Sequence, residues 1–181
     1  MRASGPHRRI LVGCEGKSEE GYAAFLARLS RDLGQGVYIQ PRHLRGGDSL
    51  ARLEWFEDFI EKEEARTFPF DHRFALLDTD RDPRTPQRAA QAYALAVRIG
   101  VRVIRQVPVH EAVLLRHFEG RTRHQPPDAA TAMSALQREW PQYEKGLPGN
   151  DYARHLSRDH LVRVSDVEPE LRELLVAAGL V

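Results

Sequence analysis

The sequence predicts an α/β fold: a Rossmannoid three-layer sandwich with a mostly parallel central sheet and C-terminal helices. Three observations carry that expectation. Short β-branched runs alternate with amphipathic helical stretches through the first two-thirds of the chain, the pattern of βα units. Residues 73–77 form an unbroken apolar run behind Arg73, as strands buried on both faces do. Beyond Gly120 the periodicity is helical only. At 181 residues the chain suffices for one core. It reads as an α/β unit over 1–119 and a helical extension over 120–181 packed on the same domain.

Taken in order, residues 9–14 read as the first strand. After it Tyr22, Phe25, Leu26, Leu29 and Leu33 recur at helical spacing, with Ser18 as N-cap, Glu19 and Glu20 in the first turn and Gly34 as the stop. Residues 37–39 give a short second strand. Asp48 caps a helix reaching Glu64, with Leu50, Leu53, Phe56, Phe59 and Ile60 apolar. The strand over 73–77 stops at Asp78, a helix spans 86–99, and a fourth strand spans 101–105. Pro108 then opens a helix with Leu114, Leu115 and Phe118 on one face and Glu111 beside them. Residues 121–127 are a loop, and helices follow over 128–139, 150–157 and 168–178.

Composition excludes several classes. The net charge of +1 does not mark a bulk nucleic-acid binder, although local arginine clusters can still face phosphate. The single cysteine, Cys14, forms no internal disulfide and no cysteine-rich metal site, which suits a reducing cytosol. No run is apolar enough for a signal-peptide core or a membrane span. A soluble cytoplasmic protein without a membrane partner is expected.

Chemistry concentrates in two acidic segments. In Asp78-Thr79-Asp80-Arg81-Asp82, carboxylates alternate at the carboxyl end of a buried strand, the edge where open parallel sheets bind ligands. Clustered carboxylates raise one another's pKa and call for a hard cation such as Mg2+, Mn2+ or Ca2+. A strand-end Asp also caps helices or makes an Asx turn, so the segment alone leaves both readings open. A calcium loop is set aside, because the sixth and twelfth positions hold Pro83 and Ala89 instead of Gly and Glu. In Glu15-Gly16-Lys17-Ser18-Glu19, a carboxylate at a strand end precedes glycine and a helix start, an arrangement that admits a phosphate. Glu19 also fits a simple helix-dipole role.

Together the two segments resemble the Toprim domain of topoisomerases, bacterial primases and overcoming-lysogenization-defect nucleases, over about residues 8–106. That resemblance implies Glu15 as acid/base or metal ligand, and Asp78 and Asp80 as ligands of Mg2+ or Mn2+. Glu15 to Tyr22 looks like the EGxTE signature of small Toprim proteins. Residues 107–119, Val-Pro-Val-His-Glu-Ala-Val-Leu-Leu-Arg-His-Phe-Glu, resemble a segment of RloB-like proteins found near phage-defence loci. In that light Glu111 joins the metal site, with Asp82 in or just behind it. Tyr143-Glu144-Lys145 resembles a late Tyr-x-Lys element, implying that Lys145 neutralises developing phosphate charge. An arginine partner for Glu111 and a solvated Lys145 are the plainer alternatives.

The function these likenesses imply is metal-dependent phosphodiester hydrolysis of DNA or RNA. Arg81, Arg84, Arg121 and Arg123 are candidate contacts to the nucleic-acid backbone. The competing class is a noncatalytic or partner-activated subunit that senses metal or nucleotide and works with an operon-encoded protein.

Overall fold

The computed structural model describes residues 8–181, so the first seven residues of the 1–119 unit lie outside the described residues. The strands are β1 (Arg8–Cys14), β2 (Val37–His43), β3 (His72–Asp78) and β4 (Arg102–Gln106), all parallel, in the order β2-β1-β3-β4. Between them run helices α1 (Lys17–Asp32), α2 (Ser49–Glu64) and α3 (Pro86–Arg98), with one 3-10 turn at Asp82–Arg84. Then come α4 (His110–Leu115), α5 (Ala129–Glu139), α6 (Gly149–His155), α7 (Arg158–Ser165) and α8 (Pro169–Ala177). The fold is therefore an α/β sandwich of three layers.

Side-chain alternation on the inner strands divides the core in two. Ile10, Val12, Cys14, Phe74 and Leu76 face α1, whose Tyr22, Phe25 and Leu26 are buried against them. Leu11, Ala75 and Leu77 face α2 and α3, against Leu53, Phe56, Ala92 and Leu95. The connections explain why the C-terminal helices exist. Chain order places α2 and α3 on one face and α1 alone on the other, leaving the β3–β4 half of that face bare. Leu136, Trp140, Tyr143, Tyr152, Leu161 and Leu174 from the later helices fill it. Burying each such large side chain contributes roughly 1.5–3 kcal/mol.

Several boundaries differ from expectation for physical reasons. Gly16, not Ser18, caps α1; Ser18 lies inside the helix, where its hydroxyl accepts from Gly146 N at 3.0 Å. Strand β2 continues through Pro41 to His43, because an edge strand has a side with no ladder to break. Helix α4 starts at His110, two residues after Pro108, and Phe118 lies beyond its end. Helix α7 lies in the stretch expected to be helical but was not among the helices named there. Among the described residues, no helix is long and apolar enough to cross a membrane.

Candidate functional site

Strands β1 and β3 are neighbours, but the chain leaves them toward opposite sides: α1 leads outward to β2, and α3 outward to β4. This reversal opens a crevice at the carboxyl edge of the sheet, the usual ligand site of doubly wound folds. Glu15 follows β1 and Asp78 ends β3, so both stand at that crevice. Asp78 N donates to Glu15 Oε2 at 2.9 Å, and the other Glu15 oxygen pairs with Arg52 of α2 at 3.1 Å. Asp78 Oδ1 in turn accepts from His110 N, the first amide of α4, at 2.8 Å. Thr79 N bonds the carbonyls of Gln106 and Pro108, tying the loop after β3 to the loop after β4.

The capping role of a strand-end Asp is thus real, but it serves α4 rather than the next helix, and it coexists with an acidic cavity. That open cavity, about 280 Å³, is lined by Glu15, Glu19, Asp78, His110, Glu111 and Lys145, with the backbone of the α1 N-terminus. Glu19 and Glu111 are almost completely buried. Glu19 accepts from Gly16 N at 3.1 Å, so its dipole role and its place in the cavity are one arrangement. Among the described residues Glu111 has no arginine partner; Tyr143 OH donates to its Oε1 at 3.3 Å, and Lys145 Nζ lies 3.6 Å from the same atom. Lys145 is mostly exposed, an ammonium at the rim.

Burial and mutual repulsion act on these groups together. Asp78 is pushed up to about 9, first by burial and then by Glu19, Glu15 and Glu111. Burial likewise raises Glu15, against the opposing pull of Arg52, and raises Glu19. The cluster holds more carboxylate than its cations neutralise, so Asp78 carries a proton near neutral pH unless a cation replaces it.

Asp80, Arg81 and Asp82 lie on the other side of Glu15 and Asp78. Asp80 and Arg81 are exposed beside a cleft of about 10 Å³ that also includes Asp82, Arg52 and Arg88. Asp82 is turned toward α2 and α3: Tyr93 OH donates to its Oδ2, and Ser49 reaches its Oδ1 at 3.5 Å. Glu111 and Asp82 therefore do not share a cavity. Arg84 is exposed in the 3-10 turn, whereas Arg121 and Arg123 follow the far end of α4, Arg121 held by Glu139 at 2.7 Å. Among the described residues, no three His, Cys, Asp or Glu converge as metal ligands do.

No family model, curated protein or solved structure matches the chain. The site therefore stands on its own geometry.

Spacing did not reveal Glu19, Gln106 or Arg52 as parts of the site. Gln106, the buried last residue of β4, lies against His110 Nδ1; with its amide oriented so that its oxygen accepts there, its nitrogen donates to Glu19 Oε1 at 3.1 Å and Asp78 Oδ1 at 3.0 Å. It is a neutral clamp between two acids. Oxygen-only carboxylate donors are of the kind a hard cation such as Mg2+ or Mn2+ takes, and negative charge is in surplus here, but among the described residues no three of these groups converge on one point.

Behind the cavity, His117 is structural. Its Nδ1 donates to Val113 O and its Nε2 accepts from Tyr22 OH, both at 2.9 Å. Burial lowers it to about 3, whereas an unfolded histidine titrates near 6.5. The unfolded chain then binds the extra proton between these values, so this stability is full above about 6.5 and is lost as pH falls from there toward about 3. In thermal or urea melts, His117→Gln should flatten the acid limb relative to the parent by up to ~1.4 kcal/mol per pH unit. Parallel limbs in parent and variant would refute this.

Proposed function

We propose that this chain is a Mg2+- or Mn2+-dependent nuclease of the Toprim type, hydrolysing phosphodiester bonds in nucleic acid. The observation that carries the reading is the bond from Asp78 N to Glu15 Oε2, which locks the acids of adjacent parallel strands together at the switch point. In this reading Glu15 and Asp78 would hold the cation, with Glu111 lining the same cavity and Asp80 exposed beside it, while Asp82, bonded to Tyr93, would not. A bound cation would supply an activated water and offset charge on the phosphate.

The chain's own residues do the rest. Arg52 and the Asp78 amide hold Glu15 in one orientation. Gln106 and the α4 amide hold Asp78, whose carboxylate would be one of those facing a bound cation. Lys145 offers its ammonium to phosphate at the cavity rim. Arg81 and Arg84, exposed at the neighbouring cleft and turn, are placed to meet the flanking backbone.

Incubation of the purified chain with labelled DNA and RNA should give cleavage with Mn2+ or Mg2+ and none with EDTA. Glu15→Gln and Asp78→Asn should each lower the rate roughly a hundredfold or more, the scale on which single electrostatic partners act. Cleavage indifferent to EDTA and to both substitutions would end the reading. Cleavage that needs an operon neighbour would favour the partner-activated subunit instead.

A further inference from the structure

Beside the acidic crevice lies a surface that the cleavage chemistry does not use. On α2, Trp55 and Phe59 follow Arg52 by three and seven residues, which puts all three on one stripe of the helix. Arg52 is the residue paired with Glu15, so the stripe begins at the crevice and runs about 10 Å along the helix. The two rings stack on each other, 5.7 Å apart at 11°, and both remain partly exposed. Above them stand two exposed arginines from the end of β2 and its following loop. Arg42 lies 4.3 Å from the Phe59 ring centre and 5.9 Å from that of Trp55, and Arg45 lies 5.8 Å from Trp55. Leu44, between them, bonds Cys14 O immediately before Glu15, which fixes this loop at the crevice.

Among the described residues, neither Arg42 nor Arg45 has a carboxylate partner. Several other surface arginines also lack an acid, so what sets Arg42 and Arg45 apart is their place over two stacked rings beside the crevice. Flat rings with an unpaired cation over them stabilise a fold weakly at an exposed site, by ~0.5–1 kcal/mol per contact. The same arrangement is what an unpaired nucleic-acid strand requires: an aromatic face for a base, and guanidinium groups for stacking and phosphate. A duplex keeps its bases stacked inside and offers this surface only its backbone.

We infer that Trp55, Phe59, Arg42 and Arg45 form a stacking platform that binds single-stranded nucleic acid and leads it to the Glu15–Asp78 crevice. This rests on the proposed nuclease reading for what happens at the crevice, but binding at the platform needs no metal. The platform gives the direction that the loop arginines at 121 and 123 do not, since those lie past the far end of α4.

Binding measured in EDTA separates the two ideas. Titration with oligo-dT or oligo-U should quench tryptophan emission, and the signal belongs to Trp55, because Trp140 is buried. Trp55→Ala and Phe59→Ala should each weaken binding of a labelled oligonucleotide roughly tenfold, the scale of one base–aromatic stack. Arg42→Ala/Arg45→Ala, which removes only exposed side chains and leaves the core intact, should make log affinity less steep in log salt by about 1.4. A duplex of equal length should bind less tightly than the single strand. Unchanged single-strand affinity in both the aromatic and the arginine variants, or a preference for duplex, overturns the platform. Normal platform binding in a protein that never cleaves with Mn2+ would instead overturn the nuclease and leave the platform standing.

Discussion

Asp78→Asn should make the metal-free protein more stable while removing its response to metal. The folded structure holds Asp78 at about 9, against an unfolded value near 3.9, because burial and the acids Glu19, Glu15 and Glu111 oppose its charge. For a carboxyl raised in this way, the stabilising contribution is complete below the unfolded value and is lost as pH rises toward about 9. Asparagine does not titrate. Its carbonyl can still accept from His110 N and Gln106, and its amide can donate to the surrounding acids. The variant's advantage should therefore grow with pH, by at most about 1.4 kcal/mol per unit. A gain of ~2 kcal/mol at pH 8 would raise the melting temperature by roughly 4–8 °C in a chain of this size. With Mn2+ at a hundred times its dissociation constant, the parent should gain about 2.7 kcal/mol and the variant close to none. A metal-free variant that melts below the parent at pH 8 would mean that Asp78 is a structural cap and little else.

The two principal acids were legible because each ends an apolar run: the strand pattern stops at Cys14 and at Leu77, and the next residue is a carboxylate. Glu111 was legible for a related reason, lying three and four residues before Leu114 and Leu115 on a face that had to be buried. Glu19 gave an ambiguous signal, since a first-turn acid satisfies the helix end whether or not it also faces a cavity. Gln106 and Arg52 could not be read at all. Their roles depend on how closely β4 and α2 approach the crevice, which no local spacing encodes.

Asp82 shows the converse. Its place in an alternating acidic pentapeptide suggested a shared ion, but the 3-10 turn swings it toward Tyr93 of α3. Helix α7 was missed because only Leu161, Val164 and Ser165 are buried on its eight residues, too few to make a periodic signal. Of the platform residues only Phe59 was read from the sequence, and as an apolar core position of the helical repeat; Trp55, Arg42 and Arg45 were not singled out.

Glu15→Ala should have the opposite effect on stability from Asp78→Asn, although both silence the metal response. Glu15 is a constructed contact: one oxygen accepts from the Asp78 amide, and the other pairs with Arg52, whose side chain is only 13% exposed and whose Nε already lacks a partner. Truncation leaves that amide and that guanidinium without acceptors. Burial raises the Glu15 pKa, so removing its charge returns part of the loss, and a net cost of about 1–2 kcal/mol remains. Glu15→Gln should fall between, since its carbonyl can still meet the Asp78 amide while the ion pair is gone. The contrast in sign is the informative result. If the cluster were only a structural network, both substitutions would destabilise it. A centre arranged to receive a cation instead keeps one acid, Asp78, in surplus and holds another, Glu15, firmly in place. Melts of both variants in EDTA at pH 8, followed by Mn2+ titration, decide the matter: equal destabilisation, with the metal response retained, would exclude a cation site here.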